Sequence, residues 1–189
     1  LNQGASFFQL RRAVAADVGA LVRLIDMSSG GGIAEDYRRR YGPGVDWHPF
    51  AEADILRTDS DLSYERATLL TRCGAVAGGV ILNHLVRQAI EGFDGTEVAR
   101  AVGALLAGAE GSLLVRELAV FPPHRRRGGA RALLDFSADV GRRHGIRRLS
   151  LTVQADNAAA LSLYAAAGFL VRESAMIAGG RVLLLTLDL

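Results

Sequence analysis

The chain has 189 residues, half of them hydrophobic, with 22 Lys plus Arg against 20 Asp plus Glu; this suits one domain with a sizeable core. A net charge of +2 without a basic tail argues against a nucleic-acid partner, and the absence of lysine removes it as a base or Schiff-base former. The lone Cys73 excludes an intrachain disulfide and a cysteine zinc site, and no apolar run reaches the roughly 18 to 20 residues of a spanning helix.

Phe7 to Val14 has β-forming character, and Ala16 to Met27 follows, where Val18, Leu21, Val22 and Ile25 recur at helical spacing behind Asp17. Ser28 to Pro49, with its glycine run, Arg38-Arg39-Arg40 and Trp47, reads as a loop with short helices near the surface. Asp46 to Thr58 carries another short helix, ending before Asp59-Ser60-Asp61. Ala67 to Arg72 and Val76 to Leu85 read as an antiparallel hairpin around Cys73-Gly74-Ala75. Within Val86 to Gly111, the spacing of Val98, Val102, Leu105 and Leu106 predicts an inserted helix. A buried strand at Ser112 to Phe121, a helix at Ala130 to His144, a strand at Arg147 to Gln154 and a helix at Ala158 to Ala167, capped by Gly168, come next. Phe169 to Met176 and Arg181 to Leu189 pair around Gly179-Gly180. Strands alternating with helices predict one mixed α/β sheet. The composition is compatible with a reducing cytoplasm, and the start at Leu1 instead of methionine leaves a trimmed start or a removed targeting segment open.

The chemistry concentrates between Leu113 and Phe169. A buried strand stops at Pro122-Pro123, a turn dense in arginine and glycine follows, and a helix opens with Leu133, Leu134 and Ala138 on one side. The first turn of a helix has N–H groups without intrahelical acceptors, at the positive end of the dipole, and phosphate is a natural ligand there. Gly128 and Gly129 let the backbone approach a pyrophosphate, and Arg125, Arg126 and Arg127 add charge. Read from the arginines alone, the turn is a solvated basic patch; the strand, glycines and helix around it favour phosphate.

Arg125, Gly128 and Ala130 match the acetyl-CoA signature of the GNAT acetyltransferases: Gln or Arg, two residues, Gly, one residue, Gly or Ala. Gln154-Ala155-Asp156-Asn157, Tyr164 and Gly168-Phe169 resemble that family's second block. The resemblance in motif covers the C-terminal third to half of the chain. It implies the GNAT fold, a central mixed, mostly antiparallel sheet splayed between two parallel strands and flanked by helices. It also implies one domain over 1–189, with 1–111 forming the acceptor side, 112–169 the acetyl-CoA-binding core and 170–189 the last strands. Leu118, Ala119 and Val120 would line the pantetheine arm, with backbone groups of Leu118 and Val120 bonding it and one strand N–H serving as oxyanion donor. N–H groups of Arg126 to Ala130 (Arg126, Arg127, Gly128, Gly129, Ala130) would hold the pyrophosphate, and Arg125, Arg131, Asn157 and Tyr164 would complete the cofactor site. The implied reaction moves an acetyl or larger acyl group from the CoA thioester to a primary amine by direct attack, with no metal. Tyr164 would protonate the departing thiolate.

Glu117, on the strand beside the implied thioester, is the candidate base, with His84, Asp46 and Glu35 as rivals; a one-residue slip in register would reverse its face, and Glu117 could instead pair with an arginine. Asn157 is equally a helix cap, and Tyr164 equally a core aromatic. Cys73 reads as a structural small hydrophobe, and His124 and His144 as surface residues beside the phosphate helix. Trp47, Tyr37 and Tyr41 line an acceptor pocket or pack. The acceptor is a small-molecule or peptide amine; the N-terminal carboxylates Asp17, Glu35, Asp36, Glu52, Asp54, Asp59 and Asp61 could attract a cationic amine or simply keep the surface soluble. Nucleic acid and membrane are not expected partners, and a homodimer is compatible with the family. A CoA-binding sensor or protein-docking module without a working base is the alternative reading.

Overall fold

The chain runs through β1 (Gln9–Arg12), α1 (Val18–Ser28), α2 (Gly32–Tyr41), α3 (His48–Leu56), β2 (Ala67–Arg72), β3 (Ala75–His84), α4 (Arg87–Glu91) and α5 (Glu97–Leu106). It continues through β4 (Leu113–Val120), α6 (Gly129–Arg143), β5 (Arg148–Gln154), α7 (Ala158–Ala166), β6 (Leu170–Ile177) and β7 (Gly180–Asp188). The computed structural model describes residues 7–93 and 96–189; Asp94 and Gly95, within the stretch expected to be an inserted helix, and the start at Leu1 lie outside them. The seven strands form a mixed sheet in the order β1-β2-β3-β4-β5-β7-β6. β4 and β5 pair in parallel, and the ladders β1–β2, β2–β3, β5–β7 and β6–β7 are antiparallel.

Two compact units make up the chain. The first, Leu1–Leu82 with Glu117–Leu133, packs the apolar stripe of α1 (Leu21, Leu24, Ile25) with Ile55 of α3 and with Leu69 and Ile81 of the sheet, all at 2% exposure or less. Each such side chain contributes about 1.5 to 3 kcal/mol by leaving water. α1 ends at left-handed Gly30 and Gly31, and the Gly31 N–H closes the end on the Asp26 carbonyl at 2.8 Å. Gly78 of β3 has no room for a side chain: a Cβ there would lie 2.3 Å from the Ala119 carbonyl oxygen of β4.

The second unit, Asn83–Arg116 with Leu134–Leu189, gathers Leu85, Leu105, Leu106, Leu114 and Leu184 into its own core. Its parallel ladder pairs Leu113 with Leu149 and Leu114 with Ser150, beside fully buried Ser112 and Ser150, whose hydroxyls lie 2.6 Å apart.

Both hairpins turn on two left-handed residues, the type I′ geometry that matches strand twist. In the first, Cys73 (φ 51°) and Gly74 (φ 77°) sit between paired Arg72 and Ala75. Cys73 is exposed there, which corrects the expectation of a structural small hydrophobe. In the second, Ala178 (φ 50°) and Gly179 (φ 79°) separate paired Ile177 and Gly180, so the turn lies one residue earlier than Gly179-Gly180. The segment 28–49 carries a short helix, α2, as expected, but Tyr37 and Trp47 are buried in the first core instead of lying near the surface.

Candidate active site

The segment from β4 into α6 belongs to the first unit from Glu117 to Leu133. The Phe121 N–H donates to the Ala77 carbonyl of β3 at 2.8 Å. Backbone polar groups alternate in direction along a strand, so those of Val120 and Leu118 face the edge of β4 away from β3. Ala119 has its side chain in the core, packed with the α1 residues. After Val120 the chain makes a 3-10 turn at Pro122–His124, then extends at Arg125 (φ −66°, ψ 164°). Arg126 (φ 58°) and Gly128 (φ 83°) are left-handed, and α6 begins at Gly129. Its first intrahelical bond runs from the Ala132 N–H to the Gly128 carbonyl at 3.0 Å. Gly129 and Ala130 therefore carry N–H groups ahead of the helical ladder, at the positive end of a 15-residue helix.

The two glycines differ in role. A Cβ on Gly128 would meet nothing within 4 Å, so this residue supplies its backbone angle and an open approach. A Cβ on Gly129 would lie 2.7 Å from Leu70 Cδ2 and 3.2 Å from the Phe8 ring, so this glycine seats the helix on the sheet. Arg126 and Arg127 are exposed, as is Arg131. Arg125 turns back: its Nε–H donates to the Val120 carbonyl at 2.9 Å, and its Nη2 lies 3.1 Å from Met27 Sδ. Its guanidinium thereby ties the turn to the end of β4 and to α1.

Glu117 is buried at 7% exposure and accepts a hydrogen bond from the Ser28 hydroxyl at the end of α1. It lies two residues before core-facing Ala119, so strand alternation puts both on the α1 face, and the register left open by the sequence is resolved. The rivals are set differently. Asp46 is exposed and takes a 2.8 Å bond from His48, which with the His48 backbone N–H holds its carboxyl below the usual range. Glu35 is exposed and ion-paired to Arg39, and His84 is exposed in the second unit. Ser28 is the residue that sequence reasoning missed: it stands in a Ser-Ser-Gly run that reads as loop, 89 positions from its partner.

In the second unit, Asn157 caps α7, its Oδ1 accepting from the Ala160 N–H at 3.1 Å, so the capping reading is met. Tyr164 is buried at 8% exposure. The Phe169 N–H reaches the Tyr164 carbonyl and the Gly168 N–H reaches the Ala165 carbonyl, both at 3.0 Å, with Gly168 at φ 94°. This is a Schellman end, in which the residue beyond the glycine packs on the helix one turn back. Phe169 does so against Tyr164, with ring centroids 5.8 Å apart and planes tilted by 58°. The Gly-Phe pair thus fixes the tyrosine ring.

The aromatic group on α2 and α3 divides. Tyr37 and Trp47 are core residues with centroids 6.2 Å apart, and burial together with its bond to Asp54 holds the Tyr37 hydroxyl protonated well past its usual range. Tyr41 is exposed and stacks on Phe50 at 4.1 Å. Asp17, Glu35, Asp36 and Asp59 are each paired to an arginine, and Asp54 accepts the Tyr37 hydroxyl, so these carboxylates are committed within the protein. His124 is half-buried, its Nδ1 shielded and without a hydrogen-bond partner among the described residues, which corrects its reading as a simple surface residue. Among the described residues no cluster of three His, Cys, Asp or Glu side chains could hold a metal ion, and no helix is long and apolar enough to cross a membrane.

A mixed sheet flanked by helices, with a glycine-arginine turn leading from a central strand into a long helix, makes this an α/β protein. The family model described as Acetyltransferase (GNAT) family matches residues 76–169, from β3 through the Schellman end of α7, and the chain belongs to this family. An N-acetyltransferase from Staphylococcus aureus superposes with a TM-score of 0.68 at 20% identity, covering 95% of this chain and 100% of that one. A polyamine N-acetyltransferase from Drosophila melanogaster, which forms N-acetylagmatine, gives 0.68 at 14%, over 97% and 100%. A mosquito arylalkylamine N-acetyltransferase-like protein gives 0.69 at 15%, over 97% and 100%. At these identities the likeness is one of fold. Among curated proteins none matches in sequence.

Proposed function

We propose that residues 1–189 act as one acetyltransferase domain that transfers the acetyl group of acetyl-CoA to a primary amine. The observation that carries this reading is the run from the end of β4, through left-handed Arg126 and Gly128, to the N-terminus of α6. Backbone groups of Leu118 and Val120 suit the amides of pantetheine, although the Val120 carbonyl already accepts from Arg125, which leaves its N–H as the useful group. The N–H groups ahead of the α6 ladder, with Arg126 and Arg127, suit a pyrophosphate. Arg125 contributes by holding the turn, and Arg131 and Asn157 flank the cofactor.

The amine nitrogen attacks the thioester carbonyl carbon, forming the C–N bond through a tetrahedral intermediate. A strand N–H steadies the charge on oxygen. Collapse breaks the C–S bond; Glu117 takes the proton leaving nitrogen, and the Tyr164 hydroxyl supplies one to the departing thiolate. A non-catalytic CoA sensor is the second reading, favoured by the burial of Glu117 and its bond to Ser28. Release of CoA thiol from acetyl-CoA, measured against spermidine, agmatine, 2-phenylethylamine and a peptide with a free N-terminus, separates the two. Amine-dependent release supports the enzyme; cofactor binding without release supports the sensor. A homodimer and a cytoplasmic setting belong to the same proposal, the first tested by light scattering and the second by fractionation.

A further inference from the structure

We infer that Ser28 is a positioning residue for Glu117, its hydroxyl matching the carboxyl group both before and after proton transfer. The inference rests on the proposed role of Glu117 as base. The Ser28 oxygen has two acceptors in reach: Glu117 Oε2 and the Ile25 carbonyl at 3.0 Å. A hydroxyl has one proton to give and lone pairs with which to accept, so only one of those acceptors can receive it at a time. The Ile25 carbonyl also receives the Ser29 N–H at 3.0 Å and so does not depend on Ser28.

While Glu117 is ionised, the Ser28 proton points to Oε2, a hydrogen bond to the charged form of the kind that favours ionisation. Once Glu117 has taken a proton from the amine, its own O–H donates to Ser28 Oγ, and the Ser28 proton rotates to the Ile25 carbonyl. The transferred proton stays on Glu117, no other group gains or loses one, and the Ser28–Glu117 pair keeps a hydrogen bond throughout. Ser28 is suited to this because α1 is rigid: Leu21, Leu24 and Ile25 are in the core, and the left-handed glycines stop the helix two residues later. The charged groups on these elements include Arg23 and Asp26 of α1, Arg125, which reaches Met27, and Arg116, which strand alternation turns to the other face of β4; α2 and α3, packed on α1, add Glu35, Asp36, Arg38, Arg39, Arg40, His48, Glu52 and Asp54. None of them is altered in the test.

The test is a carbon-13 NMR titration of the glutamate carboxyl groups in the full chain, with Glu117→Gln identifying the Glu117 signal. Ser28→Ala is expected to raise the Glu117 midpoint by about half to one pH unit, and Ser28→Thr, which keeps the hydroxyl, to restore it; circular dichroism checks that each variant is folded. In turnover with the amine panel, the acidic limb should move with the midpoint. An unmoved midpoint in Ser28→Ala, with activity lost in Glu117→Gln, overturns the role of Ser28 alone. Full activity in Glu117→Gln overturns Glu117 as base and the role of Ser28 with it.

Discussion

Gly128 and Gly129 are adjacent and glycine for unrelated reasons. Gly128 has open space where a Cβ would stand and a φ of 83°, while Gly129 has Leu70 and Phe8 against it. A side chain at Gly128 would therefore project into the approach used by a pyrophosphate without disturbing the core. Gly128→Glu should abolish acetyl-CoA binding in isothermal titration, its carboxylate facing the phosphates, with a stability cost of about 1 to 2 kcal/mol for the left-handed backbone. Wild-type affinity in this variant would remove the turn from the cofactor site. Tyr164 invites a different substitution. Its ring is held by Phe169 through the Schellman end, and Tyr164→Phe keeps that packing. Binding of acetyl-CoA should be unchanged and kcat should fall by about 100-fold or more if the hydroxyl is the acid; unchanged kcat would return Tyr164 to a packing role.

Among the elements, the parallel start of β4 and β5 is pinned by the Ser112–Ser150 pair, both fully buried. Ser112→Ala leaves the Ser150 hydroxyl without this partner, and removing one member of a buried pair costs about 1 to 3 kcal/mol. The double alanine variant should cost less than the sum of the singles, as chemical denaturation of the three variants would reveal; strict additivity would mean the hydroxyls do not depend on each other. The strands, the two main helices and the caps were legible in the sequence because their signals are local: helical spacing in α1 and α6, Gly168 after α7, Cys73-Gly74 between β-forming runs. What was illegible depends on distance along the chain. The return of Arg125 to Val120 and Met27, the seat of Gly129 on Leu70 and the pairing of Ser28 with Glu117 follow from packing between segments, which no local pattern encodes. The second hairpin was misread by one residue because Ala178, which has no special liking for left-handed backbone, occupies the first turn position.

At the scale of the whole molecule, each unit has its own core, and part of the surface charge is held in local arginine–carboxylate pairs. Arg11 and Asp17 illustrate the consequence for pH. The hydrogen bond from Arg11 holds the Asp17 carboxyl below its ordinary range, so the stabilisation is present above the unfolded carboxylate range and is lost as pH falls through the lower folded value. Asp17→Asn should lower thermal stability at neutral pH, by less than about 1 kcal/mol for a partly exposed pair, and the difference from wild type should shrink as pH falls through the lowered folded value; a difference that persists once the carboxyl is protonated would assign the effect to something other than the ion pair. Because Asp17, Glu35, Asp36 and Asp59 are paired in this way, they no longer serve as an argument for a cationic acceptor, and the amine has to be found by assay. The central claim concerns the cofactor, and its most direct test is isothermal titration of the wild-type protein with acetyl-CoA, with ATP as a control for general phosphate affinity. Micromolar binding of acetyl-CoA with far weaker binding of ATP is the expected result; no binding of acetyl-CoA, or equal binding of both, would contradict it.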